Sequence, residues 1–193
     1  TGYEFVEIYG DAKCPAVLGG TVTLDEGEHI SCTIVNDDIS PSITLNKHVI
    51  NDNGGNAGVN DFGLTIGGTT VNSGDTLDVM ANTPIALNEA GLSGYQFVMI
   101  YGDDKCPAVL GGTVTLDEGE HISCTIKNND IAPKLKLVKT VINDNGGTKQ
   151  VSDFPLYIDS TEVTSSQWNE VMANIEYEVS EISDPGYQAS DWS

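Results

Sequence analysis

The chain repeats itself at a constant offset of 92 residues. Residues 2–34 return at residues 94–126 with three substitutions, and the pentapeptide NDNGG stands at residues 51–55 and again at residues 143–147. A period of this length is typical of tandem domains arranged along one chain. One domain therefore occupies about one period. Both ends of the sequence fall at the same phase of the repeat, inside a domain, so we expect the sequence to be a segment of a longer protein.

Two prolines mark the expected joints between domains. Pro41 and Pro133 each follow an Asn/Asp-rich stretch and precede an alternation of apolar and polar residues. We therefore place the closing half of one β-sandwich in residues 1–39, a complete β-sandwich in residues 40–131 and the first part of a further one in residues 132–193. Linkers this short predict closely coupled domains.

Composition narrows the fold class and the partners. Frequent Gly, Thr and Val with few Leu and no Arg favour β structure over helix. The formal net charge of -21, from 29 acidic and 8 basic residues, disfavours binding to nucleic acid or to an anionic membrane surface. No apolar run in this segment has the length of a membrane span. We expect an all-β chain without membrane insertion.

Short alternating segments predict seven or so strands in the complete domain. Their expected ranges are 42–50, 61–66, 76–80, 84–90, 95–101, 113–116 and 121–127, with Gly67-Gly68 as a hairpin turn. Strands of this number and length within ninety residues indicate a β-sandwich. The fold prediction is therefore a tandem array of β-sandwiches with a 92-residue repeat.

The four cysteines form two pairs with the same spacing. Cys14 and Cys32 are 18 residues apart, and so are Cys106 and Cys124. Recurrence makes pairing within each repeat the simplest connectivity. No Cys-x-x-Cys occurs and the histidines lack partners at metal-ligand spacing, so a zinc site is improbable. A disulfide in each repeat predicts an extracellular or cell-surface location.

Three polar residues stand on strand faces that alternation predicts to be buried. Lys47 shares a face with Ile43 and Leu45, Glu89 continues the apolar face of its strand, and Asn128 follows Ile126. An isolated buried charge costs several kcal/mol, so the lysine and the glutamate must meet or become neutral.

Two interpretations of these residues stay open. The first is a buried Lys–Glu ion pair with a hydrogen-bonded asparagine. In the second, a neutral Lys47 amine attacks the side-chain amide of Asn128 with the help of a protonated Glu89. An isopeptide bond then forms and ammonia leaves. The second interpretation needs the first and last strands of the domain to be neighbours.

The same residues carry a resemblance to a known family. A strand lysine before NDNGG, a glutamate shortly before Gly-Tyr and a closing Cys-Thr-Ile-x-Asn resemble the prealbumin-like repeats of the Cna B or SpaA type, over the whole chain. The resemblance implies an all-β tandem array of immunoglobulin-like or transthyretin-like β-sandwich domains, as found in surface adhesins, pilins and repetitive surface proteins. It also implies Lys–Asn isopeptide bonds assisted by an acidic residue, which many of these domains contain. It implies one full set, Lys47, Glu89 and Asn128, and partial sets whose partners lie outside the domain fragment, namely Lys139, Glu181 and Asn36.

The partial domains can be completed in two ways. Further repeats of the same chain can supply the missing residues, or a neighbouring copy can add strands in trans and link Lys139 to Asn36. Both produce a fibre. Residues 186–193 and residues 2–9 occupy equivalent repeat positions and compete for one strand slot, which favours the continuous chain.

Oxygen-rich turns suggest a calcium site. The residues that would supply ligands are Asp52, Asn53 and Asp61 in one repeat and Asp144, Asn145 and Asp153 in the next. Hard oxygen donors suit Ca²⁺. The motif lacks the final glutamate of the helix-flanked calcium loop, so an Asx-rich hairpin turn is the simpler interpretation. No other cofactor is expected.

The function predicted from the sequence is structural. We expect part of an extracellular filament, pilus-like fibre or surface stalk, stabilised by disulfides and isopeptide bonds. The alternative is an adhesin that recognises a ligand through loops such as residues 10–20 and 102–112. No set of catalytic residues stands out, so we do not expect an enzyme.

Overall fold

A computed structural model describes residues 2–190, and their regular secondary structure is almost entirely β. Its strands are β1 Tyr3–Gly10, β2 Cys32–Asp38, β3 Ser42–Ile50, β4 Leu64–Ile66, β5 Thr69–Val71, β6 Asp75–Asp78, β7 Ile85–Glu89, β8 Tyr95–Gly102, β9 Thr113–Val114, β10 His121–Asp130, β11 Lys134–Lys136, β12 Leu156–Ile158, β13 Thr161–Val163, β14 Trp168–Glu170 and β15 Val179–Glu181. Short 3₁₀ helices occupy Val59–Asp61 and Val151–Asp153. No helix within residues 2–190 has the length and apolarity needed to cross a membrane.

The chain divides into two compact units. The first holds the chain up to Val49 together with Gly58–Ser93 and Phe97–Asn128. The second holds Ile50–Ala57, Gly94–Gln96 and the chain from Asn129 onward.

The first unit is built on a sandwich of two four-stranded sheets. One sheet has the order β6-β3-β10-β8 and the other the order β5-β4-β7-β9. Alternate residues of each strand point into a shared core. That core contains Ile43, Leu45, Leu64, Ile66, Leu87, Ile100, Val114, Leu116, Ile122, Cys124 and Ile126. The predicted all-β sandwich is confirmed, and we call this part the central sandwich.

The first and last strands of the central sandwich are neighbours and run in the same direction. The backbone N–H of Ser42 donates to the carbonyl of Glu120 at 2.9 Å, and further along Asn46 Nδ2 donates to Ser123 Oγ at 3.0 Å. Positions on β3 and β10 therefore increase together. Because β3 begins the sandwich and β10 ends it, the chain enters at one end of the sheet and leaves at the other.

Strands β1 and β2 form an antiparallel ribbon that belongs to the first unit. Their register runs from Tyr3 opposite Asp38 to Gly10 opposite Cys32, with an irregularity between Phe5 and Glu7. Gly10 has φ 141°, and a Cβ at this position would collide with the Ser31 carbonyl oxygen. A side chain here would therefore separate the strands. We call residues 2–38 the ribbon; it is the copy of residues 94–130.

The second unit contains half of a sandwich. Strands β11 and β14 pair in a two-stranded sheet, and β13, β12 and β15 form a three-stranded sheet in that order. Leu137, Leu156 and Ile158 form its buried core. At the offset of 92 residues these strands correspond to β3, β6, β5, β4 and β7 of the central sandwich. Residues 182–190, where the copy of β8 begins, contain no strand. We call residues 134–190 the half-sandwich.

Both predicted disulfides are present. Cys14 is bonded to Cys32 with their Cα atoms 5.7 Å apart, and Cys106 is bonded to Cys124 at 5.8 Å. Each closes the loop between the two long strands of a repeat. The connectivity inferred from recurrence is therefore confirmed.

Candidate functional site

Three strands bring Lys47, Glu89 and Asn128 to one buried point of the central sandwich. Lys47 lies on β3, Glu89 ends β7 in the opposite sheet, and Asn128 lies on β10 beside β3. In each strand the polar residue follows apolar core residues with a period of two, so it points inward with them. All three are buried residues of the sandwich.

The Glu89 carboxylate bridges the other two side chains. Lys47 Nζ donates to Glu89 Oε2, and Asn128 Nδ2 donates to Glu89 Oε1 at 2.6 Å. The side chains of Lys47 and Glu89 are 0% and 1% exposed. One carboxylate therefore joins an amine and an amide without access to water.

The surroundings make the neutral form of Lys47 easier to reach than it is at the protein surface. Burial lowers the pKa of Lys47, and the hydrogen bond and the charge of Glu89 only partly offset that effect. The Phe62 ring covers the amine, with its centroid 4.0 Å from Lys47 Nζ. The uncharged amine, which is the nucleophilic form of lysine, therefore forms at a lower pH here than at the protein surface.

Asn128 is bonded on one side of its amide only. Its Nδ2 donates to Glu89, whereas its Oδ1 is buried and lacks a hydrogen-bond partner within the described residues. A buried carbonyl oxygen without a partner is costly. Chemically, the arrangement contains a nucleophile, a carboxyl group that can carry a proton and an amide that can be attacked.

A second lysine–glutamate pair stands at the same repeat position in the half-sandwich. Lys139 Nζ lies 2.6 Å from Glu181 Oε2, and the Phe154 ring centroid lies 4.5 Å from the amine. These side chains are 17% and 15% exposed. The residue that repeat position assigns to them, Asn36, is exposed on β2 of the ribbon. Lys139 and Glu181 thus contact each other in the half-sandwich, whereas Asn36 lies in the ribbon.

A carboxylate that the sequence analysis did not single out holds the first NDNGG loop. Asp130 accepts from the backbone N–H groups of Asn53 and Gly55, at 2.9 Å and 2.7 Å, and from the Asn53 side-chain amide. Burial raises the pKa of Asp130, but these hydrogen bonds outweigh it and lower the pKa below its usual value. The available signal was the period of two that places Asp130 after Ile126 and Asn128.

The predicted calcium ligands serve other partners. Asp61 accepts from the Gly58 N–H at 2.7 Å, and Asp153 accepts from the Gln150 N–H at 2.8 Å. Asp52 and Asp144 accept from the side-chain amides of the asparagines that follow them, Asn53 and Asn145. Residues 2–190 contain no group of three or more His, Cys, Asp or Glu that could hold a metal ion. The geometry therefore supports Asx-type turns and gives the calcium hypothesis no support.

Surface lysines form equivalent ion pairs in the disulfide loops of both copies of the repeat. Lys105 Nζ lies 2.5 Å from Glu120 Oε2, and Lys13 Nζ lies 2.5 Å from Glu28 Oε2. The hydrogen bond to Glu120 raises the pKa of Lys105, and that to Glu28 raises the pKa of Lys13. These contacts tie each loop to the turn before the last strand.

Comparison with protein families finds a match that covers more than half of the chain. A family model described as a prealbumin-like fold domain of the SpaA type matches residues 38–126 and again residues 130–193. Comparisons with curated proteins and with solved structures find no significant match.

Proposed function

Because the chain belongs to the family of SpaA-type prealbumin-like fold domains, we propose that it is a load-bearing structural part of an extracellular filament, pilus-like fibre or surface stalk. The single observation that carries this proposal is the buried bridge from Lys47 through Glu89 to Asn128. Two disulfides agree with an oxidising, extracellular setting.

The bridge supports formation of an isopeptide bond. Proton transfer from Lys47 Nζ to Glu89 Oε2 gives a neutral amine and a carboxylic acid. The amine attacks Cγ of Asn128, its nitrogen loses a further proton to the Glu89 carboxyl group, and the carboxyl group gives one proton to Nδ2 as the Cγ–Nδ2 bond breaks, so that Glu89 ends as the neutral acid. A new Nζ–Cγ amide bond forms and one ammonia leaves, so no oxidant or other co-reactant is needed.

The position of this bond suits a protein that bears tension. Lys47 is on the first strand of the central sandwich and Asn128 is on the last, and β3 and β10 are neighbours. A pull on the two ends of the sandwich then passes from residue 47 to residue 128 through a covalent bond. Residues 48–127 are excluded from the load path, so the sandwich cannot be extended by force. Such a bond also resists heat and proteolysis.

Intact mass of the reduced, denatured protein tests the proposal. We expect a deficit of one ammonia, mapped by fragmentation to Lys47 and Asn128. Glu89→Gln removes the proton carrier and is expected to have the full mass. Glu181→Gln is the matched control, because it changes the equivalent residue of the half-sandwich and should retain the deficit. A wild-type protein with full mass contradicts the isopeptide bond and leaves a buried ion pair.

An adhesin is the second candidate function. Val17 and Val109, at equivalent positions of the two disulfide loops, are 62% and 61% exposed. Exposed apolar residues held on a rigid loop are a common feature of binding surfaces. Binding of the wild-type protein to a glycan or matrix-protein array, lost in a Val17→Asp/Val109→Asp double variant, would favour this function. An array with no signal would favour the structural one.

A further inference from the structure

We propose that the first NDNGG loop is a binding surface for the following repeat, and that the segment it binds is Val-Met-Ala-Asn at residues 171–174. The loop and this segment belong to different copies of the 92-residue repeat. They nevertheless lie in one compact unit, since Ile50–Ala57 group with the chain from Asn129 onward. The inference rests on the proposed structural function, in which repeats follow one another along a fibre, but it does not require the isopeptide bond.

Two hydrogen bonds connect the loop to the segment. The backbone N–H of Ala173 donates to the carbonyl of Asn53 at 2.8 Å, and Asn174 Nδ2 donates to the carbonyl of Gly54 at 2.9 Å. Asn174 has φ 59°, in the left-handed region that asparagine adopts more readily than most residues. Both acceptors are consecutive backbone carbonyls, so the segment recognises the conformation of the loop.

The loop approaches the segment so closely that position 54 requires glycine. A Cβ on Gly54 would lie 2.5 Å from the carbonyl oxygen of Ala173 and 2.9 Å from its nitrogen. These are backbone atoms, which cannot move aside as the end of a flexible side chain can. Gly54 also has φ 83°, which glycine adopts without steric cost. The loop's own backbone and the backbone of the next repeat thus both favour glycine here.

Asn53 links its own repeat to the next one. Its backbone N–H and side-chain amide donate to Asp130 at the end of β10, while its carbonyl accepts from Ala173. Two residues before Ala173, the N–H of Val171 donates to the carbonyl of Pro133 at 2.9 Å. A continuous series of hydrogen bonds therefore bridges the linker between Asp130 and Pro133. Loss of one bond in such a series should weaken the others.

Both partners of this contact recur in the sequence. NDNGG is present in both repeats, and Val-Met-Ala-Asn stands at residues 79–82 as well as at residues 171–174. The repeats differ on either side of the second motif, which TLD precedes and TPIA follows in one copy, whereas WNE precedes and IEYE follows it in the other. No residue of either copy of this motif is buried. Core packing therefore does not explain its recurrence, and a contact between successive repeats does.

The contact makes the stability of one repeat depend on its neighbour. In arrays of repeats, the total stability is a sum of the intrinsic stability of each repeat and a term for each contact between neighbours. The first NDNGG loop supplies such a term, because its own repeat holds its N–H groups and the next repeat holds its carbonyls. Local opening at the linker must then break these hydrogen bonds.

Two glycine variants of the 193-residue chain test the contact. Gly54→Ala places a methyl group against the backbone of Ala173. Gly146→Ala is the matched control, because Gly146 stands at the same place in the second NDNGG loop with φ 85°, and a Cβ there meets no atom of the described residues within 4 Å. The strain of a left-handed alanine is therefore similar in both variants. We expect hydrogen exchange at the Ala173 N–H to be at least about 10-fold faster in Gly54→Ala than in Gly146→Ala.

A second pair of variants leaves the loop sequence unchanged. Asn174→Gly removes the amide that donates to Gly54 and keeps a residue that tolerates φ 59°. Asn82→Gly is its control, since Asn82 has φ 57° at the equivalent position and donates to Glu118 instead. We expect Asn174→Gly to speed exchange of the loop N–H groups that donate to Asp130 by about 2- to 10-fold relative to Asn82→Gly.

Either of two outcomes overturns the inference. One is equal exchange at the Ala173 N–H in the two glycine variants, and the other is loop exchange in Asn174→Gly that matches Asn82→Gly. The mass deficit expected for Lys47 and Asn128 is measured on the same samples. A deficit without the differences in exchange leaves the proposed function standing without this contact. The differences without a deficit remove the crosslink and leave the contact standing.

Discussion

The Asp130 carboxylate accepts two hydrogen bonds from Asn53, one from the backbone N–H of Asn53 at 2.9 Å and one from its side-chain amide at 3.1 Å. The carboxylate stands at the end of β10, and the amide belongs to the NDNGG loop that follows β3. The last strand of the repeat thus fixes the loop that follows the first strand. This relationship explains why an acidic residue is placed at a buried position of the repeat.

Asp130→Ala is expected to lower the melting temperature by several degrees, because it leaves the N–H groups of Asn53 and Gly55 without their acceptor. Asp38→Ala is the matched control and should have little effect in dilute monomer, where Asp38 is exposed. Hydrogen exchange at residues 51–57 measures the local effect. Equal exchange in both variants would contradict the anchoring role.

The difference in stability between the wild type and Asp130→Ala should depend on pH, because the pKa of Asp130 is lowered in the folded protein. Above the ordinary value of 3.8 the folded carboxyl is ionised and its stabilisation is fully present. That stabilisation is lost as the pH falls through the folded pKa. The difference in stability between the wild type and Asp130→Ala should therefore be constant near neutral pH and disappear in acid, as measured by melting curves across that range.

Ile126 and Ile34 provide an internal comparison of core and surface. Ile126→Ala removes a fully buried side chain and is expected to destabilise the central sandwich by about 2–5 kcal/mol. Ile34→Ala should change the stability of the dilute monomer by less than about 0.5 kcal/mol. Urea denaturation with hydrogen exchange read on β4 and β7 measures both. A large loss in Ile34→Ala would show that the ribbon is packed within the monomer.

The two disulfides should also differ in their effect on the central sandwich. Cys106 and Cys124 are 18 residues apart, and removing a crosslink of this loop length costs about 3 kcal/mol. Cys106→Ala/Cys124→Ala should accordingly unfold the central sandwich at lower urea. Cys14→Ala/Cys32→Ala is the control, and it should increase exchange in β1 and β2 alone. Matching losses in β4 and β7 would contradict this assignment.

Much of the fold was predictable because apolar and polar residues alternate regularly along the strands. The period of two put Lys47, Glu89 and Asn128 on buried faces, and the structure joins them at one point. The role of Asp130 was not predictable, because its partners are backbone groups of a loop whose conformation the residue pattern does not specify. Alternation also could not specify the exposure of Ile34. Its strand has the alternation of a buried strand, but burial depends on a second sheet that the ribbon itself does not contain.

Asn128→Leu tests the energetic value of the proposed isopeptide bond. The substitution removes the attacked amide and leaves the ion pair of Lys47 with Glu89 in place. A bond between residues 47 and 128 closes a loop of about 80 residues, so its loss should cost about 4–5 kcal/mol in the free energy of unfolding. Asn36→Leu, on the exposed ribbon, should leave the central sandwich unchanged. Hydrogen exchange on β4 and β7 in urea measures the difference, and equal stability of the two variants would count against the bond.

The Asn128→Leu variant cannot form the isopeptide bond, so Lys47 keeps a free amine whose titration can be measured. Burial lowers the pKa of Lys47 below its ordinary value of 10.5, so the unfolded chain binds this proton more tightly than the folded one. Between the folded pKa and 10.5 the unfolded state carries the extra proton, and the free energy of unfolding rises with pH. Lys47→Met/Asn128→Leu lacks this group, and subtracting its pH profile removes the contribution of the other lysines. We expect the difference between the two variants to rise on the alkaline side in denaturation at successive pH values. A difference that falls there would mean that Glu89 holds Lys47 in its charged form, and the amine would then not be available for attack on Asn128.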